Sequence, residues 1–188
     1  MKAARIRWRQ GQPQWDSQRL VFIDETGLNT KMARLYGRSP THQRCVASVP
    51  HGHWQSSTFI AALRAESIAA PFLIEGAVNA EVFTAYLDQV LCPELRRGDV
   101  VVLDNLATHK IASVAALITA RGATVRYLPP YSPDLNPIEM AFAKLKSHLR
   151  HAAARTLEDL QVALVTGLAS FRPAHCHGFF RHAQYASI

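Results

Sequence analysis

Cysteine is scarce in this chain. Its three cysteines in 188 residues (Cys45, Cys92 and Cys176) are too few and too scattered for a disulfide framework, and none forms the C-x-x-C pair of a zinc site. A reducing, cytoplasmic compartment fits that usage. The stretch "HCH" at 175–177 offers adjacent ligands but no partner pair, so a structural role outweighs a metal site there. Long apolar runs are also missing, and none approaches the roughly 18–20 residues of a membrane span. The N-terminus, "MKAARIRWRQGQPQWDSQRL", is too polar and basic for a signal peptide. There is no internal repeat and no low-complexity tract. Acid is in the minority, with 14 Asp and Glu against 21 Lys and Arg, a net charge of +7. That surplus suits a polyanion such as nucleic acid, although many basic proteins bind none.

What is present reads as one globular domain. Hydrophobic residues make up 48% and charged residues 19%, which excludes intrinsic disorder and leaves enough apolar surface for a core. Residues 1–19 read as a basic N-terminal arm or linker carrying Lys2, Arg5, Arg7 and Arg9, with the fold beginning near Leu20. "RLVFIDETG" (19–27) is an apolar run closed by a turn signal, hence a buried strand. "QRCVASVP" (43–50) and "SSTFIAAL" (56–63) are the next strand candidates, joined as a hairpin through Gly52, and "PFLIEG" is a further extended piece. "NAEVFTAYLDQVL" (79–91) shifts to helical spacing, with Asn79 as its cap. "GDVVVLDN" (98–105) reads as a central strand covered on both faces. A helix (109–122), a short strand (124–129) and two further helices follow, the last capped by Thr156. The early strands can form an antiparallel meander. The later β–α–β steps need right-handed parallel crossovers, giving a mixed sheet flanked by helices.

One stretch is over-punctuated for a plain connector. "LPPYSPDLNPIEMAF" (128–142) places Pro129, Pro130, Pro133 and Pro137 just before an amphipathic helix. Asn136 can cap that helix, Pro137 suits its first position, and Glu139 falls in its first turn. Asp24 and Asp104 each close a buried strand, where sites form if the strands are parallel neighbours. The stiffened loop can then deliver Glu139 to them. Three carboxylates make a hard-oxygen site suited to Mg²⁺ or Mn²⁺. Two such ions can clamp the attacking and leaving oxygens of a phosphoryl displacement. Each acid also has a plain reading: Asp24 as a turn cap, Asp104 as an Asx-turn acid, Glu139 as a capping-box partner of Asn136. Asp134 is a rival third ligand, better suited to a turn, and Glu25 faces away from Asp24 across the strand.

"FIDETG", "VVLDNLATHK" and "LPPYSPDLNPIEMAFAKLK" resemble the catalytic motifs of mariner-like bacterial insertion-sequence transposases of the DDE superfamily. Thirty-four residues separate Asp104 from Glu139, a spacing found in that superfamily, against twenty-nine between Asp104 and Asp134. The resemblance runs from about Leu20 to the end and implies a DDE catalytic domain over 20–188. It implies an α/β, ribonuclease-H-like fold with a five-stranded mixed sheet in the order 3-2-1-4-5, flanked by helices. It implies Asp24, Asp104 and Glu139 as catalytic, metal-holding residues for two Mg²⁺ or Mn²⁺ ions. It also implies DNA strand cleavage followed by 3′-hydroxyl strand transfer, in the bacterial cytoplasm at the nucleoid. Asn105 and His109 match an accessory Asp-Asn…His stretch, and Lys144, Lys146 and Arg150 are candidate DNA-backbone contacts. A homodimer is expected, because two DNA ends must be handled together. Relatives usually carry an N-terminal helix-turn-helix portion, so the expectation here is a split element with a separately encoded partner of that kind, a truncated copy, or a fragment used alone. The competing readings are a ribonuclease-H-like nuclease without strand transfer and an inactive DNA-binding remnant.

Overall fold

Composition sets the central strand. The computed structural model describes residues 2–34 and 36–185, the side chains of Ala107 and Thr108 apart. In it the run Leu20–Ile23 is fully buried and opens β1 (Leu20–Asn29). β2 (Ser56–Leu63) pairs antiparallel with β1, and β3 (Ile68–Glu75) pairs antiparallel with β2. On the other side β4 (Val100–Leu103) runs parallel to β1, and β5 (Thr124–Tyr127) runs parallel to β4. The order is β3-β2-β1-β4-β5, the expected ribonuclease-H-like arrangement. β3 is an edge strand and carries Pro71, whose missing N–H is tolerated only at an edge or bulge; the β2–β3 register shifts beside it.

The alternation of β1 divides the core in two. Leu20, Phe22 and Leu28 pack with α4 (Ile138–Ala152), α5 (Leu157–Ala169) and α6 (Pro173–His182). Val21 and Ile23 face the opposite layer, built from α2 (Ala80–Tyr86) with its continuation through Leu91 and from α3 (Ala112–Ala120). In α4 the residues Ile138, Ala141, Phe142, Leu145 and Leu149 form the buried stripe, as helical spacing requires. Gly167 lets α5 lie close against it, because a Cβ there would sit 2.8 Å from Leu145 Cδ1. Side-chain caps fix two helix starts: Asn79 accepts from the Val82 N–H at 2.9 Å and Thr156 from the Asp159 N–H at 3.1 Å. No helix among the described residues is long and apolar enough to cross a membrane.

Three local expectations are corrected. Residues 43–50 form no strand: Val46 and Val49 are 83% and 62% exposed. The place beside β1 is taken by β2, which buries more apolar side chains than this segment offers. The hairpin instead joins β2 to β3 through a turn closed by Arg64 N–H to Ser67 O at 2.9 Å. The helix expected over 109–122 is broken: Ala107–Lys110 is a 3₁₀ turn, Ile111 is extended, and α3 starts at Ala112. The N-terminal stretch is ordered as a helix, α1 (Lys2–Gly11), which packs Trp8 onto the core.

The two parallel strands β1 and β4 pair only over Leu20–Phe22. They separate just before Asp24, and β4 ends at Leu103. A cleft therefore opens at their carboxyl ends, where open α/β sheets place their sites.

Candidate active site

Asp24, Asp104 and Glu139 line this one cleft, of about 460 Å³, together with Asn105 and Asn136. Asp24 projects from β1, Asp104 follows the last residue of β4, and Glu139 is the second residue of α4. Residues far apart in sequence thus reach one place because the sheet order makes β1 and β4 neighbours and the proline loop returns the chain from β5.

Asp24 is held by neutral donors. Its Oδ1 accepts from the Glu25 N–H at 2.8 Å and its Oδ2 from the Asn136 amide at 2.8 Å. Burial pushes its carboxyl up to about 7, against the Glu25 N–H; the charges of Glu139, Asp104 and Glu25 add to the rise. Asp104 differs. Burial would raise it, but hydrogen bonds from His109 and the Leu106 N–H, with the charges of His109 and Lys110, hold it below the usual carboxylate range. His109 Nδ1 lies 2.6 Å from Asp104 Oδ1, and its Nε2 lies 3.1 Å from Glu25 Oε1. Burial opposes charge on the ring, yet the two carboxylates outweigh it and raise the imidazole to about 9. The ring is 1% exposed and lies 4.3 Å from the Phe83 ring.

Sequence alone assigns Glu25 no part in the site. It does face away from Asp24, as strand alternation requires, but His109 reaches it from the turn that follows β4. Nothing in the sequence links residues 84 apart, so only the fold reveals this pair. Asn136 also departs from expectation. It is extended before Pro137, but its side chain caps nothing; α4 opens at Ile138, and the Asn136 amide turns to Asp24. Its Oδ1 is buried without a hydrogen-bond partner among the described residues. Asp134 is engaged elsewhere, by Arg5 and Arg9.

The basic candidates on α4 separate. Lys146 and Arg150 lie on the helix stripe of Glu139 and line a second groove, of about 480 Å³, with Lys31 and Trp54. Lys31 Nζ sits 4.5 Å from the centre of the half-exposed Trp54 ring. Burial lowers Lys146, as does neighbouring Arg150, against the pull of Glu139 and Asp24. Lys144 points the other way. Its Nζ lies 2.6 Å from His175 Nδ1 and 4.6 Å from the Phe171 ring centre. His175 also accepts from the Arg172 N–H at 3.1 Å, and Cys176 is fully buried, so this part of "HCH" is structural.

Among the described residues no three His, Cys, Asp or Glu side chains are already gathered as a finished metal cage. The donor set nonetheless fits a hard divalent cation. It is all oxygen, burial and then the neighbouring carboxylates raise Asp24, and the Asn136 Oδ1 without a partner among the described residues lies beside it.

Solved structures of similar fold include a pre-cleavage Mos1 transpososome, with TM-score 0.72 and 15% identity over 98% of this chain and 58% of that one. A mariner Mos1 paired-end complex with Mg matches with TM-score 0.69 and 16% identity over 97% of this chain and 58% of that one. The catalytic domain of Mos1 mariner transposase matches with TM-score 0.65 and 16% identity over 98% of this chain and 86% of that one. The chain thus spans little more than half the length of the Mos1 chains in the complexes and most of the isolated catalytic domain. A comparison with curated proteins gave no match. The model of the DDE superfamily endonuclease family matches residues 19–161, which hold all three cleft acids. The chain belongs to the DDE superfamily endonucleases.

Proposed function

We propose that this chain is the catalytic domain of a DNA transposase, cutting strands at an element's ends and joining the freed 3′-hydroxyl to target DNA. The observation that carries this reading is the convergence of Asp24, Asp104 and Glu139 on one cleft at the carboxyl ends of parallel strands, in a chain of the DDE endonuclease family. The similar Mos1 paired-end complex with Mg supports a divalent cation. Held by the three carboxylates, two Mg²⁺ or Mn²⁺ ions would supply Lewis-acid polarisation of the scissile phosphate and a nucleophilic oxygen at neutral pH.

This chain's own residues do the positioning. Asp24, Asp104 and Glu139 provide the oxygens. Asn136 fixes the Asp24 carboxylate. His109, donating to both Asp104 and Glu25, fixes the Asp104 carboxylate, as partners behind a metal ligand commonly do. Asn105, at the cleft wall, is placed to touch a phosphate. Lys146, Arg150 and Lys31 continue from Glu139 as a basic track for the DNA backbone, with Trp54 offering a ring face to a base. A dimer and a separately encoded end-reading partner complete the proposal, since two DNA ends must be recognised and held together.

The test is incubation of the protein with plasmid DNA carrying the sequences that flank its gene, in Mg²⁺ or Mn²⁺. The reading predicts strand cuts and joined products in wild type, both lost in Asp104→Ala. Nicks without joined products would favour a plain nuclease, and no cutting at all would favour a binding remnant.

A further inference from the structure

The segment before β1 carries four basic residues in its first nine, which by composition suit DNA. The structure gives two of them an intramolecular task. Arg5 grips Asp134 with both ends of its guanidinium, Nη1 to Oδ1 at 2.8 Å and Nη2 to Oδ2 at 2.7 Å. The same Nη1 reaches Ser132 Oγ at 2.9 Å, and Arg9 Nη2 donates to Asp134 Oδ2 at 3.1 Å. A second, buried arm comes from the same helix. Trp8 Nε1 donates to Tyr185 Oη at 2.9 Å, and Tyr185 Oη donates to Leu135 O at 2.6 Å. Tyr185 is fully buried and Trp15 stacks on it.

Both arms end on the same four residues, 132–135, which include the 3₁₀ turn Pro133–Leu135. The next residue is Asn136, which holds Asp24, and the turn leads directly into Glu139. We propose that α1 is a brace for the catalytic loop: Arg5 and Arg9, through Asp134, and Trp8, through Tyr185, set where the turn lies and so where Asn136 and Glu139 stand in the cleft. This rests on the reading of the cleft as the active site. It makes Arg5, Arg9 and Asp134 positioning residues. Asp134 then has a defined use although it lies outside the metal-holding set. The prolines restrict the loop internally, and α1 fixes it from outside.

Geometry separates this role from a plain stabilising contact. Arg5 and Asp134 are 28% and 47% exposed, and ion pairs so open to water add little to stability. A bidentate guanidinium–carboxylate pair does impose orientation. Loss of the brace should therefore act on catalysis far more than on folding, because a displacement of ~1 Å at a reacting group can cost about 100-fold.

The experiment compares wild type, Arg5→Ala/Arg9→Ala, Asp134→Ala and the combined triple variant. Cleavage kinetics on flanking-sequence DNA are measured beside Tm and backbone hydrogen exchange. The brace predicts kcat lowered by roughly 10- to 100-fold, KM for DNA within about twofold, and Tm nearly unchanged. The triple variant should be no worse than Arg5→Ala/Arg9→Ala, which already removes both the Asp134 pair and the Arg5 bond to Ser132. Arg5→Lys should fall between, having lost the two-pronged grip. Amides of residues 132–139 should exchange faster in every variant that loses the pair. A raised KM with kcat preserved would make the arginines DNA contacts and overturn the proposal. Losses that multiply in the triple variant would overturn it too. Should wild type cut no DNA, the catalytic reading fails by itself, and the brace is decided by exchange: unchanged protection of 132–139 in Arg5→Ala/Arg9→Ala refutes it.

Discussion

Asp104 follows the last residue of β4, whereas Asp24, expected to close its strand, lies midway along β1, just past its parallel pairing with β4, and their surroundings are opposite. Asp104 comes with a cation supplied by the protein: His109, pressed between it and Glu25. Among the described residues Asp24 has only neutral donors; burial, and then the carboxylates around it, raise it to about 7. Among the described residues Asp104 is hydrogen-bonded by a cationic side chain, while Asp24 and Glu139 feel Lys146 only at a distance. On the proposed function, the difference predicts that a divalent cation would compete with a proton at Asp24, while His109 would hold Asp104 in place for it. Metal binding in such a site releases protons and strengthens as pH rises.

The sharpest way to break this comparison is through pH and the folding of the metal-free protein. Asp24 titrates near 3.8 when unfolded and at about 7 when folded. Through that window the unfolded chain ionises first, so its contribution to stability falls as pH rises from about 4 to 7. The full effect is on the order of 4 kcal/mol. Asp24→Asn should remove it, so that urea unfolding of the variant shows a flatter pH dependence there than wild type. His109 contributes with the opposite charge and a later window: its stabilisation is complete below 6.5 and is lost as pH rises through about 9.

The next effect is at Asp104. His109→Ala should weaken Mn²⁺ binding by roughly 10- to 100-fold, the usual loss when the partner behind a ligand is removed. Glu25→Ala should follow in the same direction and Glu25→Gln less so, because an amide oxygen still accepts from Nε2. Equal metal affinity in all three, measured by calorimetry, would erase the distinction between the two acids. Smaller again is the loop. Pro133→Ala with Pro137→Ala should lower cleavage about tenfold while costing stability no more than ~1 kcal/mol per site; matched losses of both would make the prolines mere stability devices. The smallest change concerns DNA. Lys146→Ala and Arg150→Ala should each reduce the slope of log affinity against log salt by about one. Lys144→Ala should leave that slope unchanged, because its Nζ is occupied at His175.

Much of this layout is legible in the sequence, for physical reasons. Continuous apolar runs ending in Asp24 and Asp104 identify buried strands, and the stripe Ile138–Leu149 identifies α4, because burial imposes those periods. The family resemblance supplies the strand order, which periodicity alone does not fix. The failures share a cause. Residues 43–50 have enough apolar character for a strand, but which segment takes the place beside β1 is a property of the whole fold. The helix of 2–11 is mostly exposed and docks through Trp8, so its pattern reads as polar. The pairs Glu25–His109, Asn136–Asp24 and Arg5–Asp134 join residues 84 or more apart and leave no local signature. Asn136 misleads because an Asn just ahead of a helix is usually its cap.

That three acids together hold divalent cations in one cleft is the claim on which the rest depends. Mn²⁺ titration followed by electron paramagnetic resonance at pH 8 tests it, comparing wild type with the triple variant Asp24→Asn/Asp104→Asn/Glu139→Gln. The account predicts saturable binding in wild type, with two ions per chain at saturation, and none in the variant, with both proteins folded by circular dichroism. Equal binding in the two proteins would place the metal elsewhere and contradict the account.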